Sequence, residues 1–324
     1  MSTMGGAGAT AELPADDPSS APAIHVVPPE RELPARIVSA RVPLRRRMRE
    51  LWDSRELFVF LVRKDLKVKY RGSVLGLLWS LLNPLVMLLV YDIVFTKFLK
   101  NNAQDFALYL FSALIVWMLF QTALMSSSST IVSNAAIVKK VSFPREILAL
   151  AQVGTATVFF FFQMVVLVLF LVVLRAAPAW GMLPLLPWAF VDLILFSAAL
   201  AVFLSAVNVY ARDIEHLITV VLLAWQWGIP MVYSFDFVNS GDHRWIARLM
   251  LADPLAPIVL VFQRVFYGLR GTVGAHNVVT PFGTNYSFAT YAAMLAWVLV
   301  VSVILLFLAM VVFGRIEGNF AEEL

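Results

Sequence analysis

The chain has 324 residues, 60% of them hydrophobic and only 14% charged, with a mean hydropathy of +0.82. Soluble domains carry roughly 25% charge, so composition excludes a soluble globular fold and indicates an integral membrane protein. With a net charge of +4 and no cysteine, the chain lacks disulfide frameworks, thiolate nucleophiles and the usual zinc and iron–sulfur ligand sets. The positive charges cluster beside apolar stretches, so nucleic acid is not an expected partner.

Residues 1–43 are rich in Ala, Pro, Ser and acidic side chains, as in Asp16-Asp17-Pro18 and Pro28-Pro29-Glu30, and lack an apolar period. They read as a disordered tail. No apolar run with a small-residue cleavage site follows Met1, so no signal peptide is expected and the tail belongs in the cytoplasm. Residues 44–324 are then a single transmembrane domain.

An amphipathic helix is predicted over about 54–72. Asp53-Ser54-Arg55-Glu56 offers an N-cap with an acidic third position, and Gly72 is a natural stop. Phe58, Val62, Leu66 and Tyr70 fall on one face, with Arg63, Lys64, Lys67 and Arg71 on the opposite flank. Such a helix lies along the cytoplasmic membrane surface. It serves either as an anchor on acidic lipid or as a surface that also contacts a partner.

About 20 apolar residues rising about 1.5 Å each cross a hydrocarbon core of roughly 30 Å. Spans are predicted at about 75–98, 107–130, 147–174, 183–207, 217–233 and 289–313, the fifth being the shortest. Asn83-Pro84 bends the first, as a packing kink or a hinge. Phe159 to Phe162 covers every face of the third and is expected to meet mostly lipid. Asp192, inside the fourth, either lines a wet cavity or is paired structurally.

Two short polar connections join these spans. In the first, Ser133 or Asn134 caps a short helix ending at Lys139-Lys140; Phe143, Pro144, Arg145 and Glu146 follow, with Pro144 suited to a first helical turn and Glu146 near its positive end. The second, Asn208 to His216, carries Arg212 and offers Asp213 as a cap. Each is either a rigid lever or a simple topology signal. Between the fifth and sixth spans, Trp245–Met250 and Ile258–Tyr267 are too short to cross, and Asp253-Pro254-Leu255-Ala256-Pro257 separates them. Prolines 254 and 257 break any continuous helix, which predicts a re-entrant pair of half-helices, or else a surface loop with two amphipathic turns. Gly271 to Ser287 has loop composition.

With both ends inside, cytoplasmic segments carry 18 Lys and Arg and outside segments 7, in line with the positive-inside rule. The expected fold class is therefore all-α integral membrane, with six spans, an interfacial helix and a re-entrant pair.

Chemistry is sparse along this scaffold. All four histidines fall outside the spans, no metal site or catalytic cluster is evident, and Asp92 and Asp192 do not make an ion relay. No Gly-rich phosphate loop ending in Gly-Lys-Ser or Gly-Lys-Thr occurs. Active transport would therefore draw on a separate ATPase, with ATP and Mg bound there and no cofactor on this chain.

The runs Lys64-Asp65-Leu66-Lys67-Val68-Lys69-Tyr70-Arg71-Gly72, Leu78-Trp79-Ser80-Leu81-Leu82-Asn83-Pro84, Val138 to Glu146, Ala206 to Ile214, Asp253 to Pro257 and Phe313-Gly314-Arg315-Ile316-Glu317 together resemble the bacterial ABC-2 type permeases that export polysaccharides and teichoic acids. The likeness spreads in order over residues 55–324. One departure stands out: the family usually has Asn where this chain has Asp253.

The resemblance implies a multi-pass plasma (inner) membrane permease, working as a homodimer with an ABC ATPase subunit on each copy and moving a lipid-linked glycan. It puts Arg63, Lys64, Lys67, Ser133, Asn134, Lys139, Lys140, Phe143, Pro144, Arg145, Glu146, Arg212 and Asp213 against the ATPase. Sugar rings stack on aromatic faces, which makes Trp79, Tyr91, Trp117, Phe120, Trp225, Trp227 and Tyr233 candidates for the glycan path. Asn83, Gln121, Gln163 and Gln226 are their polar companions. Rival readings are export of a small lipid or drug, an ion-coupled carrier, and a membrane-bound transferase.

Overall fold

Runs of 23 to 29 residues form the long helices of the computed structural model, which describes residues 44–69, 72, 78–98, 104–239, 244–273, 279–281 and 284–324. The predicted tail 1–43, Tyr70, Arg71 and the first residues of the span at 75–98 lie outside these. Among the described residues, four helices are long and apolar enough to cross a bilayer: α4 (Phe106–Ser128), α7 (Glu146–Val173), α8 (Leu185–Tyr210) and α13 (Phe288–Ile316). Ser287 caps the last of them, its hydroxyl accepting from the Thr290 N–H at 3.2 Å.

The first and fifth predicted spans are of another kind. Helix α3 (Leu78–Asp92) runs through Pro84 and then widens into a π-helical segment, Ile93–Phe98. Helix α9 (Ile214–Gly228) has only 15 residues, because Ile229 is extended (φ −100°, ψ 138°), as the residue before Pro230 must be.

Between α9 and α13 lie α10 (Phe235–Asn239), α11 (Arg244–Ala252) and α12 (Leu255–Phe266). Helices α11 and α12 meet at a 98° bend, centred on Asp253-Pro254. Pro257 falls in the first turn of α12, where a missing N–H costs nothing. The stretch read as plain loop after α12 instead contains a small antiparallel hairpin, β1 (Gly271–Val273) with β2 (Val279–Pro281). Three residue pairs suffice to close it, a local pairing that composition does not register.

Helix α4 is the centre of the main core, enclosed by α7, α8 and α12. Helices α7 and α13 each leave one apolar flank open, including Val165 and Val172 on α7 and Val300 and Ile304 on α13. In lipid such a flank is solvated. The Phe159–Phe162 run does not face mostly lipid. Phe159 and Phe160 are buried while Phe161 and Phe162 are exposed; the 100° step per residue turns Phe160 onto Phe190 of α8 and Phe262 of α12, and Phe159 toward Lys69 of α2.

A second core lies at the end of the bundle that carries α1 (Leu44–Asp53), α2 (Arg55–Lys69), α5 (Thr130–Ser133), α6 (Ala135–Lys140) and α14 (Phe320–Glu323). Its members include Leu61, Val62, Ile131, Val138, Ile147, Phe313 and Phe320. This end, rich in Lys and Arg, is called the basic end below. Helix α1 was not expected from sequence.

Candidate functional site

Helix α2 docks on α7 through a close approach at Gly154. A Cβ at this position would stand 2.7 Å from Phe58 Cζ and 2.9 Å from Val62 Cγ2, so any larger residue would make these side chains shift. Polar contacts fix the register: Gln152 Nε2 donates to Asp65 Oδ2 at 2.7 Å, and Lys64 Nζ donates to Asn134 Oδ1 at 3.3 Å. The ammonium of Lys69 lies 4.4 Å from the Phe159 ring centroid, and burial there pushes its pKa below the ordinary lysine value. Gly72, at φ +78°, has the left-handed backbone suited to a stop after α2.

The first connection is built differently from the capping pattern expected of it. Asn134 precedes α6, yet its amide donates backward to the Thr130 carbonyl at 2.8 Å, and the Ser133 hydroxyl donates to the Ser129 carbonyl at 2.9 Å. Neither side chain caps α6, because α5 supplies nearer carbonyls and Lys64 takes the Asn134 oxygen. Asp213 likewise sits at the N-cap position of α9 without a side-chain cap bond. Lys139 and Lys140 are exposed, as are Arg63, Lys67, Arg212 and Asp213. Pro144 and Phe143 are half-buried, with Phe143 packed on the second core.

Arg145 and Glu146 turn inward. Arg145 Nη1 donates to the Glu317 carbonyl at 2.7 Å, and its guanidinium lies over the Phe320 ring. Glu146 is buried and receives Arg47 Nη1 at 2.8 Å. Arg47 Nη2 reaches Glu317 Oε2 at 2.8 Å. The second connection meets the same place, Tyr210 Oη donating to the Ile316 carbonyl at 2.7 Å.

Farther along the bundle, the α11–α12 elbow is latched to α9. Trp225 Nε1 donates to Asp253 Oδ2 at 2.6 Å while the other oxygen, Oδ1, accepts from the Leu255 N–H at 3.0 Å. The Trp225 ring packs edge-on against Phe120 and Phe196. Two donors on two oxygens give a physical reason for a carboxylate at position 253. At the other end of α12, Gln263 Nε2 donates to the Pro230 carbonyl at 2.9 Å, and Tyr109 Oη donates to the Tyr233 carbonyl at 2.9 Å.

The aromatic candidates separate by position. Trp117, Phe120 and Gln163 are enclosed in the main core, and Gln121, Trp225 and Tyr233 are half-buried. Tyr91, Gln226 and Trp227 line one narrow pocket between α3, α4 and α9. Trp79, Asn83 and Trp227 are exposed. Asp192 is fully buried, and neither carboxylate oxygen has a hydrogen-bond partner among the described residues. Among those residues no cluster of three or more His, Asp or Glu could hold a metal ion.

Residues 56–267 match the ABC-2 type transporter family, a stretch that runs from α2 through the elbow to the end of α12. The chain belongs to this family. The ABC-2 chain is 31% identical over 226 residues to the O-antigen export system permease protein RfbA of Myxococcus xanthus, covering 69% of this chain and 85% of that one. It is 26% identical over 269 residues to RfbA of Klebsiella pneumoniae, and 27% identical over 275 residues to a second RfbA from that organism; each match covers 83% of this chain and 95% of the relative. Arg47 and Glu317 lie outside the stretch that carries the family match. Sequence reasoning missed Arg47; the apolar spacing of Leu44, Met48 and Leu51 was the available signal for its helix.

Proposed function

We propose that this chain is the membrane-spanning subunit of an ATP-driven exporter, moving a lipid-linked polysaccharide of the O-antigen class from the cytoplasm across the plasma membrane. The observation that carries this reading is kinship with O-antigen export permeases over 85 to 95% of their lengths. The chain is the conduit, and hydrolysis of Mg-ATP belongs to a separate ABC ATPase subunit.

The basic end then faces the cytoplasm, as the positive-inside rule requires, and both termini lie there. Helices α3 and α9 complete a set of six spans, with α11 and α12 forming a hairpin that enters and leaves the outer leaflet. A 98° elbow suits a turn back toward the surface better than a continuing span. The apolar faces that α3 and α9 leave uncovered, among them Leu85, Leu89, Leu217 and Val220, support pairing of two copies around the cargo path. Exposed Lys139 and Lys140 present the first connection to the ATPase.

Depletion of the chain from its host tests the reading directly. Lipid-linked glycan should accumulate on the cytoplasmic side, and the purified chain should bring its ATPase with it. Unchanged glycan pools with altered sensitivity to small lipophilic compounds would overturn it.

A further inference from the structure

We infer that Arg47 is a positioning residue for transport. It ties the start of α7 to the end of α13, so that a push on the first connection moves both helices together. This inference rests on the functional reading above but makes a separate claim, about how the force travels inside one chain.

The geometry is specific. Arg47 offers one guanidinium nitrogen to each of two carboxylates, Nη1 to Glu146 and Nη2 to Glu317, each at 2.8 Å, and Nη1 also lies 3.3 Å from the Met310 carbonyl within α13. A planar fork can hold two acceptors at fixed angles, which an ammonium cannot. The side chain of Arg47 is 10% exposed and that of Glu146 is 3% exposed. The Glu146 carboxylate therefore has no ready substitute partner if the fork is withdrawn, while the Glu317 side chain, 24% exposed, keeps access to water.

Space for the fork has been left open on purpose-fitting backbone. A Cβ on Gly314 would lie 2.5 Å from Arg47 Nη1 and 2.8 Å from its Cζ, so any larger residue at 314 would push the guanidinium from its seat. Three further contacts converge on the next turn of chain. Arg145 donates to the Glu317 carbonyl and covers the Phe320 ring, and Tyr210 donates to the Ile316 carbonyl. Both connections therefore end on Ile316–Phe320, the first through the Arg47 bridge and Arg145, the second through Tyr210. Contiguous hydrogen-bonded and packed groups of this kind carry mechanical coupling between elements.

The test uses the full chain with its ATPase, reconstituted in vesicles. Two quantities are followed: glycan moved per ATP hydrolysed, and ATP-dependent hydrogen-exchange protection at Ile316–Phe320. Wild type is expected to show that protection. Arg47→Gln should keep ATP hydrolysis within about twofold while glycan moved per ATP falls at least tenfold and the ATP-dependent protection disappears. Gly314→Ala should shift both in the same direction without removing a charge, and Arg47→Lys should restore part of the ratio. A wild-type ratio in Arg47→Gln overturns the proposal. So does a parallel loss of hydrolysis and transport in all three variants, which would mark a purely structural ion cluster, and so does absence of the ATP-dependent protection in wild type. Hydrolysis and protection without any glycan movement in wild type would instead sink the functional reading and leave the clasp standing.

Discussion

Replacing Asp253 with Asn removes a single acceptor atom, and the elbow shows what that atom does. Asp253 receives the Trp225 indole N–H on one oxygen and the Leu255 N–H on the other. Asparagine has one oxygen and one NH2 group, so one of the two donors would face another donor. A hydrogen bond to a charged group contributes about 1.5–3 kcal/mol, which corresponds to about 10- to 150-fold in the equilibrium between a latched and an open elbow. Trp225→Phe removes the same bond from the other side while keeping a ring against Phe120 and Phe196. If the two groups act as one latch, the double variant should cost about 1–2 kcal/mol less than the sum of the singles. Hydrogen exchange of the α12 amides, measured on the purified chain in detergent, reads these local opening free energies. Additivity within about 0.5 kcal/mol would refute the latch, and so would unchanged protection in Asp253→Asn.

Four further outcomes are expected. Gly154→Ala forces a Cβ into Phe58 and Val62; overpacking of this sort costs about 1–3 kcal/mol, lowering the thermal unfolding midpoint, and Phe58→Leu in the same chain should recover much of it. Lys139→Ala with Lys140→Ala should leave the unfolding midpoint unchanged, because both side chains are exposed, while reducing ATPase stimulation by the permease. Arg145→Ala should do the reverse in the first respect, losing the midpoint through its bond to Glu317. Tyr210→Phe, which deletes the bond to the Ile316 carbonyl, should cost about 0.5–1.5 kcal/mol by the same unfolding measurement.

The long helices were legible because their signal is local. Twenty apolar residues in a row announce α4, α7, α8 and α13 without knowledge of their neighbours. The elbow was legible for the same reason, since two prolines three positions apart break a helix wherever they occur. Helix α1 was harder to see, because its arginines make the segment polar on average and hide the spacing of Leu44, Met48 and Leu51. The site was least legible where partners are remote. Glu146 reads in sequence as a charge at a helix start, and only the fold brings Arg47 to it across 99 positions. Asn134 was misread as a cap because Lys64, from a different helix, claims its oxygen. Trp225 carries no sequence mark separating a glycan-facing ring from one that holds Asp253.

On the six-span arrangement proposed above, the brevity of α9 has a bearing on the surrounding lipid. Its 15 residues give a rod of about 22 Å at 1.5 Å per residue, short of a hydrocarbon layer of roughly 30 Å, whereas α7 with 28 residues is longer than that layer. Mismatch on this scale costs fractions of a kcal/mol per Å and is relieved by local thinning of the bilayer. A dimple beside α9 would shorten the oily distance that a hydrophilic chain has to traverse, and membranes with longer acyl tails would then be the slower medium for it.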